Sequence, residues 1–166
     1  MAISNQENML VLATGNKSEL ACGYSTLYGD AVGGYAPIKD IYKVDVWALS
    51  RWRNAVAIAA GEVPPIPVRS IEKEPSAELR PDQKDTDSLP EYEILDEVLR
   101  NYVDEDHGHD ALVAMGFDAA LVKRVIAMVD KAEYKRRQYP PGTKVSKRAF
   151  GKDRRLPMTS RWQEGI

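Results

Sequence analysis

The chain has 166 residues, of which 43% are hydrophobic and 29% charged, and these values are typical of one globular domain with a hydrophobic core. They exclude collagen-like and wholly disordered proteins. The single cysteine, Cys22, excludes a fold held by internal disulfides and favours a reducing compartment. No apolar run approaches the roughly 20 residues of a membrane span, and residues 1–8 lack the pattern of a signal peptide. We therefore expect a cytoplasmic protein with no membrane partner.

The net charge of −2 conceals an uneven distribution along the chain. Residues 71–118 carry 15 acidic and 4 basic side chains, whereas residues 119–166 carry 13 basic and 4 acidic ones. The two segments can attract each other within one molecule or between subunits, and the basic segment can also bind phosphate groups. Charge alone leaves these alternatives open, although a solvated face with intramolecular compensation is the most frequent arrangement.

A strand and a short helix are predicted at the start of the chain. Residues 9–13 form a continuous apolar run, which is typical of a buried parallel strand. After a polar turn, the segment from Lys17 to Cys22 predicts a helix that ends at Gly23. Because ligands of α/β sheets bind beyond the carboxyl ends of strands, we expect a binding site at this turn.

A long helix is predicted after an ordered loop at residues 24–36. Asp40 is a candidate N-cap, and the helix is expected to run to Ala60, with Gly61 as its stop. One strand alone cannot satisfy its own backbone groups, so the chain needs either a second strand around Val68 or additional polypeptide.

The second half of the chain predicts a long polar loop, two helices and a basic tail. The loop covers residues 70–90, and loops of this length are usually functional or disordered. The basic tail, residues 139–166, shows little periodicity. The two helices, at 92–102 and 118–137, have apolar stripes formed by Ile94, Leu95, Val98, Leu99 and Tyr102, and by Leu121, Val122, Val125, Ile126 and Val129.

Five polar side chains are candidates for chemistry, and each has a structural alternative. The Thr14 hydroxyl can bond a nucleotide, and Glu19 can bind Mg²⁺ or a substrate, or simply compensate the dipole of its helix. Lys43 at the start of a helix is locally unfavourable, which indicates either an anionic partner or an exposed lysine. Ser76 can cap a short helical turn. Lys135 lies in a basic run at a helix end.

Other reactive side chains give weaker signals. His107 and His109 can bind a metal, but they lack cysteine partners and helical spacing, so a solvated acidic loop is the more frequent outcome. Cys22 has no activating base nearby in sequence and is predicted to be a small core residue. Residues 135–155 have few aromatic side chains among the basic ones, which argues against nucleic-acid binding.

Six motifs occur in a defined order, and together they are more specific than any one of them. They are ATGNKSE at 13–19, GYSTLYGD at 23–30, PIKDIYK at 37–43, EPSAELRPDQ at 74–83, DSLP at 87–90 and EYKRRQ at 133–138. With these motifs the chain resembles the C-terminal part of the synthetase domain of glutamine-dependent NAD⁺ synthetases, over about residues 3–162.

The resemblance implies a fold and a reaction. The fold is α/β, a partial Rossmann-like domain of the adenine nucleotide alpha hydrolase type, mostly helical with one or two parallel strands and covering residues 1–166. In the reaction, ATP adenylates the carboxylate of deamido-NAD⁺. Ammonia derived from glutamine then displaces AMP, so that NAD⁺ and pyrophosphate are formed.

The resemblance also assigns roles to the five candidates. Thr14 and Ser76 match ATP-binding positions, and Lys43 matches a catalytic lysine on the ATP phosphates. Glu19 matches a residue that binds deamido-NAD⁺ and Mg²⁺, and Lys135 matches a deamido-NAD⁺-binding lysine. Adenylation develops negative charge on phosphoryl oxygens, which Lys43 and Mg²⁺ can stabilise. The loop around Ser76 can fold over the site and exclude water.

Two parts of the family pattern are absent from this sequence: the Ser-Gly-Gly-x-Asp-Ser loop that binds pyrophosphate, and the glutaminase domain. We therefore expect the N-terminal half of the enzyme to be a partner that supplies the loop and channels ammonia. The resemblance also suggests a homo-oligomer. We expect this chain alone to be inactive. The alternative is a non-catalytic interaction protein or split subunit that keeps the subunit-contact helices, with the basic tail and Trp162 making contacts.

Overall fold

The computed structural model describes residues 1–77 and 80–159, so Trp162 lies outside the described residues. A 3₁₀ turn covers Asp85–Asp87, and a π-helical turn at Arg100–Asp104 continues the fifth helix. The α-helices within the described residues are α1 (Ala2–Glu7), α2 (Lys17–Cys22), α3 (Lys43–Ala59), α4 (Val68–Glu72), α5 (Tyr92–Leu99), α6 (His109–Ala114), α7 (Ala119–Lys131) and α8 (Glu133–Arg136).

The predicted strand at residues 9–13 does not form a regular strand. Leu12 and Tyr35 make one isolated parallel bridge, in which the Ala13 N–H donates to the Tyr35 carbonyl at 2.8 Å. Because a strand needs a ladder of partners and only a short piece of the 24–36 loop lies alongside, pairing stops after this bridge. The expectation that this run is buried holds for Ala13, which is 2% exposed, but not for Leu10 and Leu12, which are 68% and 54% exposed.

The predicted fold class is therefore confirmed only in part. The described residues are mostly helical, as predicted, but they contain no regular strand, so the one or two parallel strands of a Rossmann-like sheet are not found there. The second strand expected around Val68 is wrong, because Val68 begins α4.

Helix α3 begins later than predicted because Asp40 is not its N-cap. The Asp40 carboxylate instead accepts hydrogen bonds at 2.8 Å from the backbone N–H groups of Val145 and Ser146. Tyr42 precedes the first turn of α3. The predicted stop at Gly61 is consistent with the end of the helix at Ala59, since Gly61 has a φ of +73°.

The core lies where α2, α5 and α7 pack together. Both predicted apolar stripes are largely confirmed, with Leu95, Val98, Val122 and Val125 completely buried. Ile94 is the exception, because 46% of it remains exposed. Cys22 packs against this core as predicted, and burial raises the pKa of its thiol to about 12.

The long polar loop is shorter than the predicted 70–90. Helix α4 occupies its beginning and the 3₁₀ turn lies near its end. Ile71 and Leu89 are 8% and 4% exposed, so both ends of the loop are held by buried apolar side chains. No helix in the described part of the chain is long and apolar enough to cross a membrane.

The acidic and basic segments compensate each other within one molecule. Asp106 pairs with Arg148 at 2.8 Å, and Glu105 pairs with Lys147. The described part of the basic tail is also anchored by aromatic side chains, since Tyr139 and Phe150 are 8% and 6% exposed. The alternative of intramolecular compensation, left open by the sequence, is thus realised.

Candidate functional site

A cleft of about 290 Å³ opens at the turn before α2. Four of the five predicted site residues line it: Thr14, Glu19, Lys43 and Ser76. Thr14 is exposed at the turn, while the other three side chains are partly buried. Segments far apart in sequence therefore bring a hydroxyl, a carboxylate, an ammonium and a second hydroxyl to one cavity.

The Glu19 carboxylate is held in place by a capping box at the start of α2. The Asn16 side chain accepts a hydrogen bond from the Glu19 N–H at 3.0 Å, and Glu19 Oε2 accepts one from the Asn16 N–H at 3.1 Å. Glu19 thus compensates the dipole of α2, which is the structural role that the sequence left open for it. Its second oxygen, Oε1, is directed to Lys43.

Lys43 Nζ lies 3.2 Å from Glu19 Oε1, and both side chains are about four-fifths buried, at 18% and 20% exposure. The same ammonium lies 5.4 Å from the centre of the Tyr92 ring and 6.0 Å from that of Trp47. A carboxylate and two ring faces therefore neutralise a lysine at the positive end of a helix dipole. A phosphate entering the cleft would find this ammonium already in place.

A buried aspartate fixes the backbone that carries Lys43. Ser18 Oγ accepts a hydrogen bond from the Lys43 N–H at 2.9 Å and donates one to Asp96 Oδ1, and Asp96 Oδ2 accepts from the Val44 N–H at 2.9 Å. Asp96 is only 2% exposed, and burial raises its pKa to about 6 although these hydrogen bonds favour the ionised form. Asp96 and Ser18 therefore cap α3 in the place that the sequence assigned to Asp40.

Gly15 allows the C-terminal segment to pack beneath the turn. A Cβ atom at this position would lie 2.2 Å from Tyr139 Oη, so any side chain here would displace the tyrosine. The Tyr139 hydroxyl is buried and makes no hydrogen bond with the described residues. The glycine is thus required by a close approach.

Lys135 lies beside the cleft instead of within it. It lines a neighbouring cavity of about 260 Å³, and Tyr24, Asp30 and Ala77 line both cavities. Its Nζ donates to the carbonyl oxygens of Gly23 at 2.6 Å and Ser25 at 2.8 Å. This ammonium therefore satisfies carbonyl groups at the C-terminal end of α2, where the helix dipole favours a cation.

Four residues with a place at the site were missed by reasoning from sequence: Ser18, Asp96, Tyr24 and Asp30. One signal could have revealed Asp96, namely an acidic residue among the apolar positions of α5, next to the buried Leu95. Tyr24 and Asp30 belong to a quoted motif but received no role. His107 and His109 gain no support as metal ligands, since no three His, Cys, Asp or Glu side chains in the described part of the chain could hold an ion together.

Comparison with known proteins identifies the family. A family model described as NAD synthase matches residues 1–139. The glutamine-dependent NAD(+) synthetases of Acinetobacter baylyi and Thermotoga maritima are 53% and 51% identical to this chain over 163 and 166 residues, which cover 98% and 100% of it. The chain spans only 29% and 28% of the length of these two relatives.

A solved structure supports the fold. The glutamine-dependent NAD(+) synthetase from Cytophaga hutchinsonii superposes with a TM-score of 0.73 at 22% identity, over 96% of this chain and 26% of that one. The resemblance drawn from the six motifs is confirmed by the family match. This chain belongs to the NAD synthase family.

Proposed function

We propose that this chain is part of an ATP-dependent ligase that converts deamido-NAD⁺ to NAD⁺, and that the cleft is one wall of its nucleotide site. The family supports the reaction class. The observation that carries the assignment is the convergence of Thr14, Glu19, Lys43 and Ser76 on one cavity. The glutaminase domain and the pyrophosphate-binding loop would come from additional polypeptide, because the relatives are more than three times as long as the stretch they share with this chain.

In the proposed reaction, a carboxylate oxygen of deamido-NAD⁺ attacks the α-phosphorus of ATP, and the bond to pyrophosphate breaks. Negative charge grows on the phosphoryl oxygens during this step, and the partly buried Lys43 ammonium would stabilise it. Ammonia then attacks the activated carbonyl carbon, and AMP leaves. The hydroxyl groups of Thr14 and Ser76 would position the nucleotide by hydrogen bonds.

The carboxylates that line the cleft would hold Mg²⁺ only together with ligands from the substrate. Mg²⁺ sites commonly use one or two carboxylates, with substrate phosphates and water completing the octahedron. Glu19 and Asp30 are the acidic side chains that line the cleft among the described residues, and Glu19 already accepts from Lys43 and from the Asn16 N–H. We infer that Glu19 would hold the ion together with nucleotide phosphates, and that bound Mg²⁺ would supply further charge neutralisation.

Lys135 is suited to contact deamido-NAD⁺ from the adjoining cavity. A lysine ammonium has three donors, and the carbonyl groups of Gly23 and Ser25 use two of them. The third can donate to the substrate. Because the first two bonds fix the direction of the side chain, this donor would be positioned before the substrate arrives.

The assignment can be tested in a chimaera in which residues 1–166 replace the aligned segment of the Acinetobacter baylyi relative. ATP–pyrophosphate exchange that depends on deamido-NAD⁺ measures adenylation separately from amidation. We expect Lys43→Met to reduce this exchange by roughly 100-fold, the usual loss when one group that stabilises transition-state charge is removed. The matched control is Lys131→Met, an exposed lysine on α7.

Several outcomes would contradict the proposal. Unchanged exchange by Lys43→Met at saturating ATP would remove Lys43 from the site, and failure of the unsubstituted chimaera to form NAD⁺ would refute the function. The 166-residue chain alone should form no NAD⁺ from deamido-NAD⁺, ATP and ammonia. Turnover by that chain would show that no further polypeptide is needed.

A further inference from the structure

A third cavity, of about 300 Å³, lies between the end of α8 and the turn around Gly151. Among the described residues it shares no lining residue with the cleft. Tyr139 separates the two, because its ring lines this cavity while its hydroxyl reaches Gly15 at the cleft. We call it the basic cavity, because it is lined by Lys39, Arg136, Arg137, Lys144, Lys152 and Arg155.

Three of these six cations already have an ion pair. Arg136 and Arg137 share the carboxylate of Glu133, with N–O distances of 3.1 and 2.5 Å. Lys144 pairs with Asp153 at 2.8 Å. These three basic groups shape the cavity, and with two carboxylates for three cations they keep one net positive charge.

The other three cations, Lys39, Lys152 and Arg155, have no ion pair with any described residue. Lys39 Nζ donates to the neutral carbonyl of Pro140 at 2.8 Å. The acidic residue that lines the cavity, Asp40, is occupied, because its carboxylate accepts from Val145 and Ser146. Three cations thus face one half-enclosed space, and the carboxylate that lines it, Asp40, already pairs with the buried Lys17 at 3.3 Å.

The pKa of Lys39 is lowered by its surroundings in the cavity. Burial is the main cause that lowers its pKa, Asp40 partly offsets the effect, and the Lys152 ammonium lowers the pKa further. Lys39 nevertheless packs beside an aromatic wall, with its Nζ 6.0 Å from the centre of the Tyr139 ring. An anion bound here would relieve the repulsion between Lys39 and Lys152 and would raise the pKa of Lys39.

We propose that the basic cavity binds a compound with a phosphate chain, either free pyrophosphate or the phosphates of a nucleotide, at a site separate from the cleft. Several phosphoryl oxygens can meet three separated cations at once, and the guanidinium of Arg155 can bind phosphate through two parallel hydrogen bonds. The rings of Tyr139 and Phe150 add an apolar wall against which a base can pack.

Calorimetric titration of the 166-residue chain with pyrophosphate and with ADP, without divalent metal, tests the proposal. We expect the double variant Lys152→Ala/Arg155→Ala to bind pyrophosphate at least about tenfold more weakly, because two charge-assisted contacts are lost. Both side chains are exposed, so the fold should be retained, which circular dichroism would verify. The pKa of Lys39, followed by NMR, should rise when pyrophosphate is added.

A matched double variant, Lys123→Ala/Lys131→Ala, removes the same net charge from exposed positions on α7 outside the cavity. It should bind pyrophosphate within about twofold of the unsubstituted chain. Equal losses in both double variants would overturn the proposal in favour of general polyanion attraction, and a loss confined to Lys43→Met would place the anion in the cleft.

The two ligands distinguish the source of the phosphate chain. Tighter binding of ADP than of pyrophosphate, with the same dependence on Lys152 and Arg155, would assign a nucleotide. Equal or weaker binding of ADP would assign free pyrophosphate. No binding of either at millimolar concentration, or an unchanged pKa of Lys39, would refute the site without affecting the function proposed for the cleft.

Discussion

Leu12 and Lys17 lie close together in sequence, yet their burial is the reverse of what their polarity predicts. Leu12 is 54% exposed, whereas Lys17 is completely buried. The Lys17 ammonium contacts Asp104 Oδ1 at 2.7 Å and Ser146 Oγ at 2.6 Å, both from distant segments. Leu12 has one backbone bridge, and the described residues leave its side chain largely uncovered. Burial in this molecule is therefore decided by the partners that other segments deliver, more than by the side chain itself.

The extent of burial also differs between whole helices. Every fourth or third residue of α5 and α7 is buried, but α3, although 17 residues long, has only Asn54 and Ala57 buried. Trp52 and Ile58 on α3 are 60% and 63% exposed. Helices α5 and α7 pack against each other and against α2 and form the core, while α3 presents much of its apolar surface to solvent.

The comparison of buried with exposed side chains can be tested by substitution, and the largest effect on the free energy of unfolding is expected at Lys17. Lys17→Met would leave the buried carboxylates of Asp104 and Asp40 without their cation, and such losses usually lower the free energy of unfolding by about 3–5 kcal/mol. Urea denaturation of the 166-residue chain measures this change. The control, Lys147→Met, removes a 61% exposed lysine from its pair with Glu105 and should have an effect below about 1 kcal/mol. Equal effects would show that the buried network is no stronger than a surface pair.

A somewhat smaller effect is expected from a pair of leucines. Leu95 is completely buried on α5, and Leu95→Ala should lower the free energy of unfolding by about 3 kcal/mol through lost burial and a cavity. Leu12→Ala should change it by less than about 1 kcal/mol, because the side chain is already in contact with water. Denaturant midpoints with an unchanged slope measure both values. A large loss at Leu12 would indicate that an apolar layer covers it in solution.

The smallest effect depends on pH and concerns Asp96. Its folded-state pKa is raised to about 6, chiefly by burial, with Asp45 adding to and Arg100 opposing the shift. The unfolded chain releases this proton near pH ~4. Between these values the folded state binds more protons, so the stability gained from protonated Asp96 is complete below pH ~4 and is lost as the pH rises to 6.

The unfolding free energy of the unsubstituted chain minus that of Asp96→Asn should therefore fall by about 2 kcal/mol from pH 4 to 6 and stay constant above pH 7. Glu97→Gln, at an exposed position on the same helix, serves as the control and should keep the pH dependence of the unsubstituted chain. A constant difference between Asp96→Asn and the unsubstituted chain at every pH would contradict the raised pKa.

The sequence predicted those features that depend on neighbours within a turn or two. Helix α2 and its stop at Gly23, and the apolar stripes of α5 and α7, follow from local periodicity and caps. The strand at residues 9–13 was wrong because an apolar run specifies a strand only if a partner lies alongside. The predicted N-cap of α3 was wrong because Asp40 accepts from Val145 and Ser146, while Ser18 and Asp96 from other helices accept the first N–H groups of α3.

The candidate site was predictable to a different extent. The turn before α2 follows from the sequence pattern, and the resemblance placed Thr14, Glu19, Lys43 and Ser76 at one site. Their support could not be predicted, since the Ser18–Asp96 contact joins residues from α2 and α5, and the Lys135 contacts join α8 to the end of α2. Polar side chains have many possible partners in a sequence, and only the packing of helices selects among them.

The burial of Lys17 also constrains when α2 can complete its packing during synthesis of the chain. Asp104 and Ser146, which contact its ammonium, are synthesised 87 and 129 residues after it. Until then the Lys17 ammonium stays hydrated, so α2 cannot reach its final packed position. Packing of α2 can therefore be completed only after the segment around Ser146 has been synthesised.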